Sequence, residues 1–165
     1  MKQTPVTVHY LFSRSEKIGS KVIASTTKKL CPEIEKTPSH VAILINEKWV
    51  FESTLESGVN RMSYKKWKEK NEEVAKIKCT QDRTLEEVIG YFREIKDKKY
   101  DYMAIIYFSW RVILLHLLNL QIPAKNKLNN PNRFFCTEVV GKMTNIDCQM
   151  TAPVKLLNDI NLAIK

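Results

Sequence analysis

Residues 39–53 constrain the fold more than any other part of this 165-residue chain. Val41-Ala42-Ile43-Leu44-Ile45 is a continuous apolar run, Asn46-Glu47-Lys48 has the composition of a turn, and Trp49-Val50-Phe51 is apolar again. Two short apolar runs separated by polar turn residues predict a β-hairpin. Because neither run alternates with polar residues, both strands are expected to be buried on both faces and therefore central in a sheet.

The same hairpin carries two ionisable residues, His40 and Glu52, which are twelve positions apart. An even separation, with a tight turn centred on Asn46, places the two side chains opposite each other on one face. A carboxylate there can accept the second imidazole N–H, which fixes the tautomer and stabilises the imidazolium. Taken alone, Glu52 is equally well interpreted as a polar residue at the end of a strand.

The rest of the chain predicts an α+β domain built around this hairpin. Residues 6–12, 58–62 and 74–79 have strand patterns, and an antiparallel sheet with inserted helices is expected. Helices are predicted through Ile18 and Ile23, at 64–73, at 85–96 behind a capping box of Thr84 and Glu87, at 102–122, from about Thr137, and from Pro153.

Composition bounds the class of protein. With 44% hydrophobic residues, 165 residues can form one domain, 1–165, without support from a metal or disulfides. The four cysteines include no C-x-x-C pair, so no zinc ribbon or redox pair is indicated, and neither a metal nor a cofactor is expected. The first ten residues, MKQTPVTVHY, lack the apolar core of a signal peptide, which favours the cytoplasm and free thiols.

The net charge of +9 could attract nucleic acid, anionic lipid or an anionic cell-wall polymer. The lysines are scattered rather than gathered with aromatic residues, so solvation is favoured over a nucleic-acid surface. The most apolar segment, residues 102–122, is interrupted by Arg111, His116, Asn119 and Gln121. It is therefore interpreted as a buried or surface-docked helix, which could contact a membrane peripherally, and not as a membrane span.

Cys136 has the setting of a nucleophile. A thiolate is favoured at the N-terminus of a helix and beside a histidine that shares its proton. Cys136 follows a polar loop and precedes helix-compatible residues, whereas Cys31, Cys79 and Cys148 lie in loops or at a strand end. His40, at the start of a strand, can project towards such a helix, while His9 and His116 have the settings of structural histidines.

These segments together resemble a known family. Ser39 to Ile45, Val50 to Ser53 with Gly58-Val59, Tyr100-Asp101, and Phe135 to Val140 are similar to the permuted NlpC-like cysteine amidases and peptidases of the YaeF/YiiX type, over roughly residues 6–145. The resemblance implies a circularly permuted papain-like fold, an antiparallel sheet or partial barrel packed with helices.

The resemblance also implies roles for individual residues. Cys136, His40 and Glu52 would form the catalytic triad, and the backbone N–H of Cys136 would contribute to an oxyanion hole. Tyr100 and Thr137 would lie near the oxyanion or the substrate. The segment 102–122 is an insert relative to the compact family pattern, which puts the position of Tyr100 in question.

Three functions follow from these expectations. The leading one is hydrolysis of an amide in a peptide or in the peptide stem of peptidoglycan. The second is a lipid-directed thioesterase or acyltransferase, since related families act on acyl lipids and residues 102–122 could meet an acyl chain, although core packing is the preferred interpretation of that segment. The third is a catalytically idle binding module or host-directed effector. The Lys- and Asn-rich composition resembles versions carried by viruses and phages, for which the host cytoplasm would be the compartment.

Overall fold

An open antiparallel sheet organises the described part of the chain. The structure is a computed structural model that describes residues 6–16, 18–28, 30–118, 132–144 and 151–164. Its strands are β1 (Thr7–Arg14), β2 (His40–Ile45), β3 (Trp49–Thr54), β4 (Gly58–Ser63) and β5 (Glu72–Thr80). The helices in this part are α1 (Ile18–Lys28), α2 (Tyr64–Lys68), α3 (Leu85–Ile95), α4 (Tyr102–Leu118), α5 (Cys136–Thr144) and α6 (Pro153–Ile164). The predicted α+β class is confirmed.

The sheet has the strand order β4-β3-β2-β1-β5, and each neighbouring pair is antiparallel. β2, β3 and β4 form a meander joined by short turns. β1 lies between β2 and β5, so the first strand of the chain is internal and pairs along its whole length with β5. The predicted hairpin is therefore central, as its apolar strands require.

The turn of the hairpin sets which residues share a face. Asn46 and Glu47 both have φ of 53°, and Ile45 pairs with Trp49 across a three-residue connection. The turn is centred on Glu47 and not on Asn46, so the predicted register is wrong by two residues: the observed register, continued past Ile43 and Phe51, aligns Glu52 with Ala42 and not with His40. Because the connection has an odd number of residues, His40 and Glu52 still share a face, as diagonal neighbours.

The two faces of the sheet carry separate apolar clusters. One face packs against α3, α5 and α6. The cluster on this side includes Val8, Tyr10, Phe12, Val41, Ile43 and Phe51 from the sheet and Val139, Val140 and Met143 from α5. The opposite face carries Leu11, Ala42, Leu44, Val50 and Trp67. Covering β2 and β3 on both sides explains why their sequences contain continuous apolar runs.

The predicted helix at 64–73 is wrong in its extent. Ser63 caps α2 by accepting a hydrogen bond from the Lys66 N–H, but the helix ends at Lys68 and β5 begins at Glu72. Pairing of β5 with β1 satisfies a full row of backbone groups, and this outweighs the helix-compatible composition of residues 69–73. By contrast, the predicted capping box of Thr84 and Glu87 is present at the start of α3.

The apolar segment after Asp101 forms α4 up to Leu118, and residues 119–122 lie outside the described residues. Several of its large apolar side chains are exposed, so the preferred interpretation of this segment as core is wrong for those positions. None of the helices in the described ranges is both long and apolar enough to cross a membrane.

Gly58 fixes the path of the chain beside the sheet. Its φ is +61°, and a Cβ at this position would overlap the carbonyl oxygen of Lys98. The neighbouring N–H of Val59 donates to that oxygen at 2.9 Å, and Val59 in turn accepts from the Asp97 N–H at 3.1 Å. This close approach lays residues 97–99 along the edge strand β4, immediately before Tyr100.

We expect Gly58→Ala to destabilise the protein by at least about 2 kcal/mol, because it combines a left-handed backbone with a steric overlap. Gly90→Ala is the matched control: this helical glycine has open space around it, and alanine there should add about 0.5–1 kcal/mol of stability. Urea unfolding measures the free energy of unfolding of both variants. Equal stability of the Gly58→Ala and wild-type proteins would contradict the described path of residues 97–99.

Candidate active site

β2 and β3 separate where the candidate site lies. Within the described range 30–118 their pairing covers Ile43 to Ile45 with Trp49 to Phe51 and does not reach His40 or Glu52. On the outer sides, β2 stays paired with β1 up to His40, and β3 stays paired with β4 up to Thr54. The separation leaves a gap between the two central strands at one end of the sheet, and side chains from the two faces of the sheet can contact each other through this gap.

Glu52 is the centre of the polar contacts in this opening. Its side chain is only 2% exposed, and its Oε2 atom lies 2.7 Å from His40 Nε2. The same oxygen accepts a hydrogen bond from the Trp67 indole N–H at 3.0 Å. Two donors at one buried oxygen fix the carboxylate, and the carboxylate fixes the imidazole ring.

Cys136 reaches His40 from the other side of the sheet. It is the first residue of α5 and is 3% exposed, and its side chain lies close enough to the imidazole of His40 to raise the pKa of that histidine. Since Nε2 faces Glu52, the nitrogen available to the sulfur is Nδ1. The arrangement Glu52–His40–Cys136 thus forms one continuous chain of contacts.

Two side chains hold the start of α5 in place. Ser53 donates its hydroxyl hydrogen to the Phe134 carbonyl oxygen at 2.6 Å, which ties the residues before α5 to β3. Glu138 accepts from the Phe135 N–H at 3.2 Å, the reverse half of a capping box. The pKa of Glu138 is raised to about 7, mainly because the carboxyl group is buried. The hydrogen bond from the Phe135 N–H lowers this pKa, and the negative charge of Asp101 raises it further.

The environment of His40 favours its charged form. Burial alone would lower its pKa, but the hydrogen bonds to Cys136 and Glu52 and their negative charges together raise the pKa to about 10. Because the pKa is raised above the ordinary value of 6.5, this interaction stabilises the folded protein fully below pH 6.5 and is lost as the pH rises towards 10.

Tyr100 lies beside this chain of contacts. It is buried, and burial together with the charges of Cys136 and Asp101 raises its pKa well above the ordinary value. Tyr100 is therefore a neutral phenol, which can donate a hydrogen bond. The backbone next to Tyr100 is held beside the start of α5, because Lys99 forms a parallel bridge with Arg133 and its carbonyl oxygen accepts from the Phe134 N–H at 3.0 Å.

Thr137 has a different environment. It is fully buried, and its hydroxyl donates to the Thr151 carbonyl oxygen at 2.9 Å. The side chain thereby anchors α5 to the residues that lead into α6. Its predicted role near the oxyanion or substrate could be filled only by its backbone N–H, at the second position of α5.

A cleft of about 200 Å³ leads to the site. His40, Glu52 and Tyr100 line the cleft, and α1 and the β3–β4 turn contribute Ser20, Ile23 and Leu55. Ser20 is hydrogen-bonded to Ser39, which keeps α1 next to the start of β2. Lys70 and Asn71 line the side formed by the approach to β5.

The remaining cysteines and histidines have other surroundings. Cys31 is buried with Ala152 and Val154, and burial followed by the charge of Glu33 raises its pKa. Cys79 accepts a hydrogen bond from Gln81, and His9 lies 3.1 Å from Glu47. Cys148 and the side chain of His116 lie outside the described residues. No group of three or more potential metal ligands occurs among the residues that the structure describes.

Sequence reasoning missed Trp67 and Ser53. Trp67 is the single large apolar residue in the basic segment of residues 65–70, which was a signal that it is buried, but its contact with Glu52 depends on how α2 folds over the sheet. Ser53 directly follows Glu52, and nothing in the sequence indicates its hydrogen bond to the Phe134 carbonyl oxygen.

We expect Glu52→Gln to move the pKa of His40 down from about 10 towards 6.5, because the hydrogen bond and charge of Glu52 both raise it. The amide oxygen of the introduced glutamine can still accept from Trp67, so the fold should persist. NMR titration of the imidazole resonances measures the shift, and the His9 resonance serves as an internal reference. An unchanged His40 titration in the variant would contradict the described contact.

The chain matches no protein-family model, no curated protein and no solved structure. The arrangement of His40, Glu52 and Tyr100 on the wall of one cleft, with Cys136 buried beside His40, is therefore the basis on which a function can be argued.

Proposed function

We propose that the protein is a cysteine hydrolase with a permuted papain-like fold, acting on amide bonds of a peptide or of the peptide stem of peptidoglycan. The observation that carries the proposal is the buried chain of contacts from Glu52 through His40 to the sulfur of Cys136. A nucleophile, a base and a group that orients the base are the three components of this chemistry.

The contacts suggest how each step would run. The Cys136 thiolate attacks the amide carbonyl carbon, a C–S bond forms, and the proton on His40 Nδ1 passes to the leaving nitrogen as the C–N bond breaks. Water then attacks the thioester carbonyl, His40 takes up the proton of that water, and the carboxylic acid leaves as the thiolate is released. Glu52 keeps the ring oriented and stabilises its positive charge throughout.

The negative charge that develops on the carbonyl oxygen needs donors. Cys136 is the first residue of α5, so its N–H has no partner within the helix, and the positive end of the helix dipole lies there. Tyr100, a neutral phenol on the wall of the cleft, supplies a second candidate donor. Two such donors are the usual composition of an oxyanion hole.

The lining of the cleft supports a peptide-like substrate. Ser15, Ser20 and Ser57 offer hydroxyl groups, and Lys70 offers a cation that could pair with a carboxylate of the substrate. Ile23 and Met62 add apolar surface on the same walls. A pocket of this mixed character suits the alternating polar and apolar groups of a peptide.

We expect Cys136→Ala to abolish hydrolysis of peptide and peptidoglycan-stem amides, and His40→Ala to lower kcat/KM by about 10²–10⁴, because it removes the proton-transferring group. Cys79→Ser is the matched control and should hydrolyse at the wild-type rate. Cleavage is measured by mass spectrometry of the released fragments.

Thiol reactivity tests the same proposal without a known substrate. Labelling by an iodoacetamide probe should occur at Cys136 at a lower pH than at Cys79, and His40→Ala should remove this difference. Equal pH profiles at all labelled cysteines would overturn the proposal and leave a binding module of the same fold.

A second candidate function, a thioesterase or acyltransferase acting on an acyl lipid, is favoured by one observation. Leu55 on the wall of the cleft and Tyr102 at the start of α4 are both exposed, and the Tyr102 hydroxyl donates to the Leu55 carbonyl oxygen at 3.0 Å. Apolar surface therefore extends from the cleft onto α4.

Detergent distinguishes the two candidates. Turnover of an acyl-lipid thioester should rise when detergent micelles present the substrate, whereas amide hydrolysis of a short water-soluble peptide should not change. Both assays use the same enzyme preparation, with Cys136→Ala as the blank.

A further inference from the structure

We propose that the exposed face of α4 docks on the surface of an anionic lipid bilayer. This face, called here the α4 face, consists of Met103, Ile106, Trp110, Ile113 and Leu117. All five side chains are exposed, Trp110 to 57% and Leu117 to 76%. Large apolar side chains exposed this far, and next to one another, indicate a surface that is covered by something else.

The α4 face is continuous because of its spacing. Its residues recur at intervals of three and four along a helix that runs from Tyr102 to Leu118. At 3.6 residues per turn, these positions fall within an arc of about 80°. Tyr102 and Leu118 are also exposed and extend the apolar surface at the two ends. The result is an apolar stripe along the whole described length of α4.

Charge identifies a bilayer as the occupant. α4 contains no Asp or Glu and carries Arg111, and the exposed Lys99 lies three residues before its first residue. The whole chain has a net charge of +9. An apolar helix face with an aromatic residue on it and cations around it is the composition of a helix that lies in the interface of an anionic membrane.

A second copy of the chain fits the α4 face less well. Two copies would bring together surfaces that both belong to a molecule of charge +9. Coiled-coil partners usually gain from ion pairs along the edges of the seam, but α4 contains no Asp or Glu that could form such pairs with a second α4. The same charge that opposes self-association favours approach to anionic lipid.

Docking through the α4 face would place the cleft beside the lipid. The hydrogen bond from Tyr102 to the Leu55 carbonyl oxygen joins the start of α4 to the β3–β4 turn, and that turn forms one rim of the cleft. The inference on docking does not rest on the proposed hydrolysis, since binding to lipid requires only the surface. It is therefore tested with the Cys136→Ala protein.

The experiment compares three proteins in the Cys136→Ala background by co-sedimentation with equimolar phosphatidylcholine–phosphatidylserine vesicles. The unaltered α4 face should bind, and Ile106→Ser with Trp110→Ser should reduce the partition coefficient at least about tenfold, because two large side chains no longer enter the interface. Leu162→Ser is the matched control, since Leu162 is 62% exposed on α6, and it should bind as the parent does.

Pure phosphatidylcholine vesicles and added salt test the electrostatic contribution to vesicle binding. Both should weaken binding, because the first removes the anionic lipid and the second screens its charge. Three results would overturn the inference: no binding of the parent protein, equal binding of the Ile106→Ser, Trp110→Ser variant, or equal loss in the Leu162→Ser control. A dimer that light scattering detects in solution, and that the α4 variant dissociates while no vesicles are bound, would assign the face to a second copy.

Discussion

The buried carboxylate of Glu52 is the constraint on which the candidate site depends. A carboxylate that is 2% exposed must be compensated inside the protein, and here one of its oxygens accepts from both His40 and Trp67. The cationic imidazole supplies the opposite charge, and the indole supplies a neutral donor that cannot titrate. The site is thus prepared as part of folding, because the protein cannot bury Glu52 without also fixing His40.

The separation of β2 and β3 brings this pair within reach of Cys136. A continuous ladder would keep the two faces of the sheet apart, with His40 and Glu52 beside Trp67 and with α5 on the opposite face. The ladder stops at Ile43 and Phe51, and α5 is tied to β3 by the bond between Ser53 and Phe134. The sulfur at the start of α5 can therefore contact an imidazole that belongs to the other face, and the end of the sheet becomes the site.

Much of this arrangement is local and could be predicted from the sequence. The hairpin follows from its apolar runs, the start of α3 from the Thr84 capping box, and the placement of Cys136 from the polar loop before a helical pattern. The register of the hairpin could not be predicted, because the sequence Asn46-Glu47-Lys48 is compatible with turns of different length, and only the observed φ of Asn46 and Glu47 fixes it. The length of α2 depends on pairing between β1 and β5, whose partners are 58 or more residues apart in the chain, and no local pattern specifies that pairing. The contact of Trp67 with Glu52 depends on how α2 folds over the sheet.

The position of α4 follows from the same geometry. The chain leaves the site after Lys99 and returns at Arg133, and these two residues are bridged, with Phe134 bonded to the Lys99 carbonyl oxygen. Tyr100 and Cys136 therefore take their positions from two neighbouring backbone segments. The distance between them does not depend on the conformation of the residues in between. A segment closed at its base in this way costs the site little, because the entropic cost of closing a loop grows only slowly with its length. It leaves α4 free to carry an exposed apolar face that the core does not require, and this face lies next to the rim of the cleft, where docking on lipid would bring the proposed site to the membrane surface.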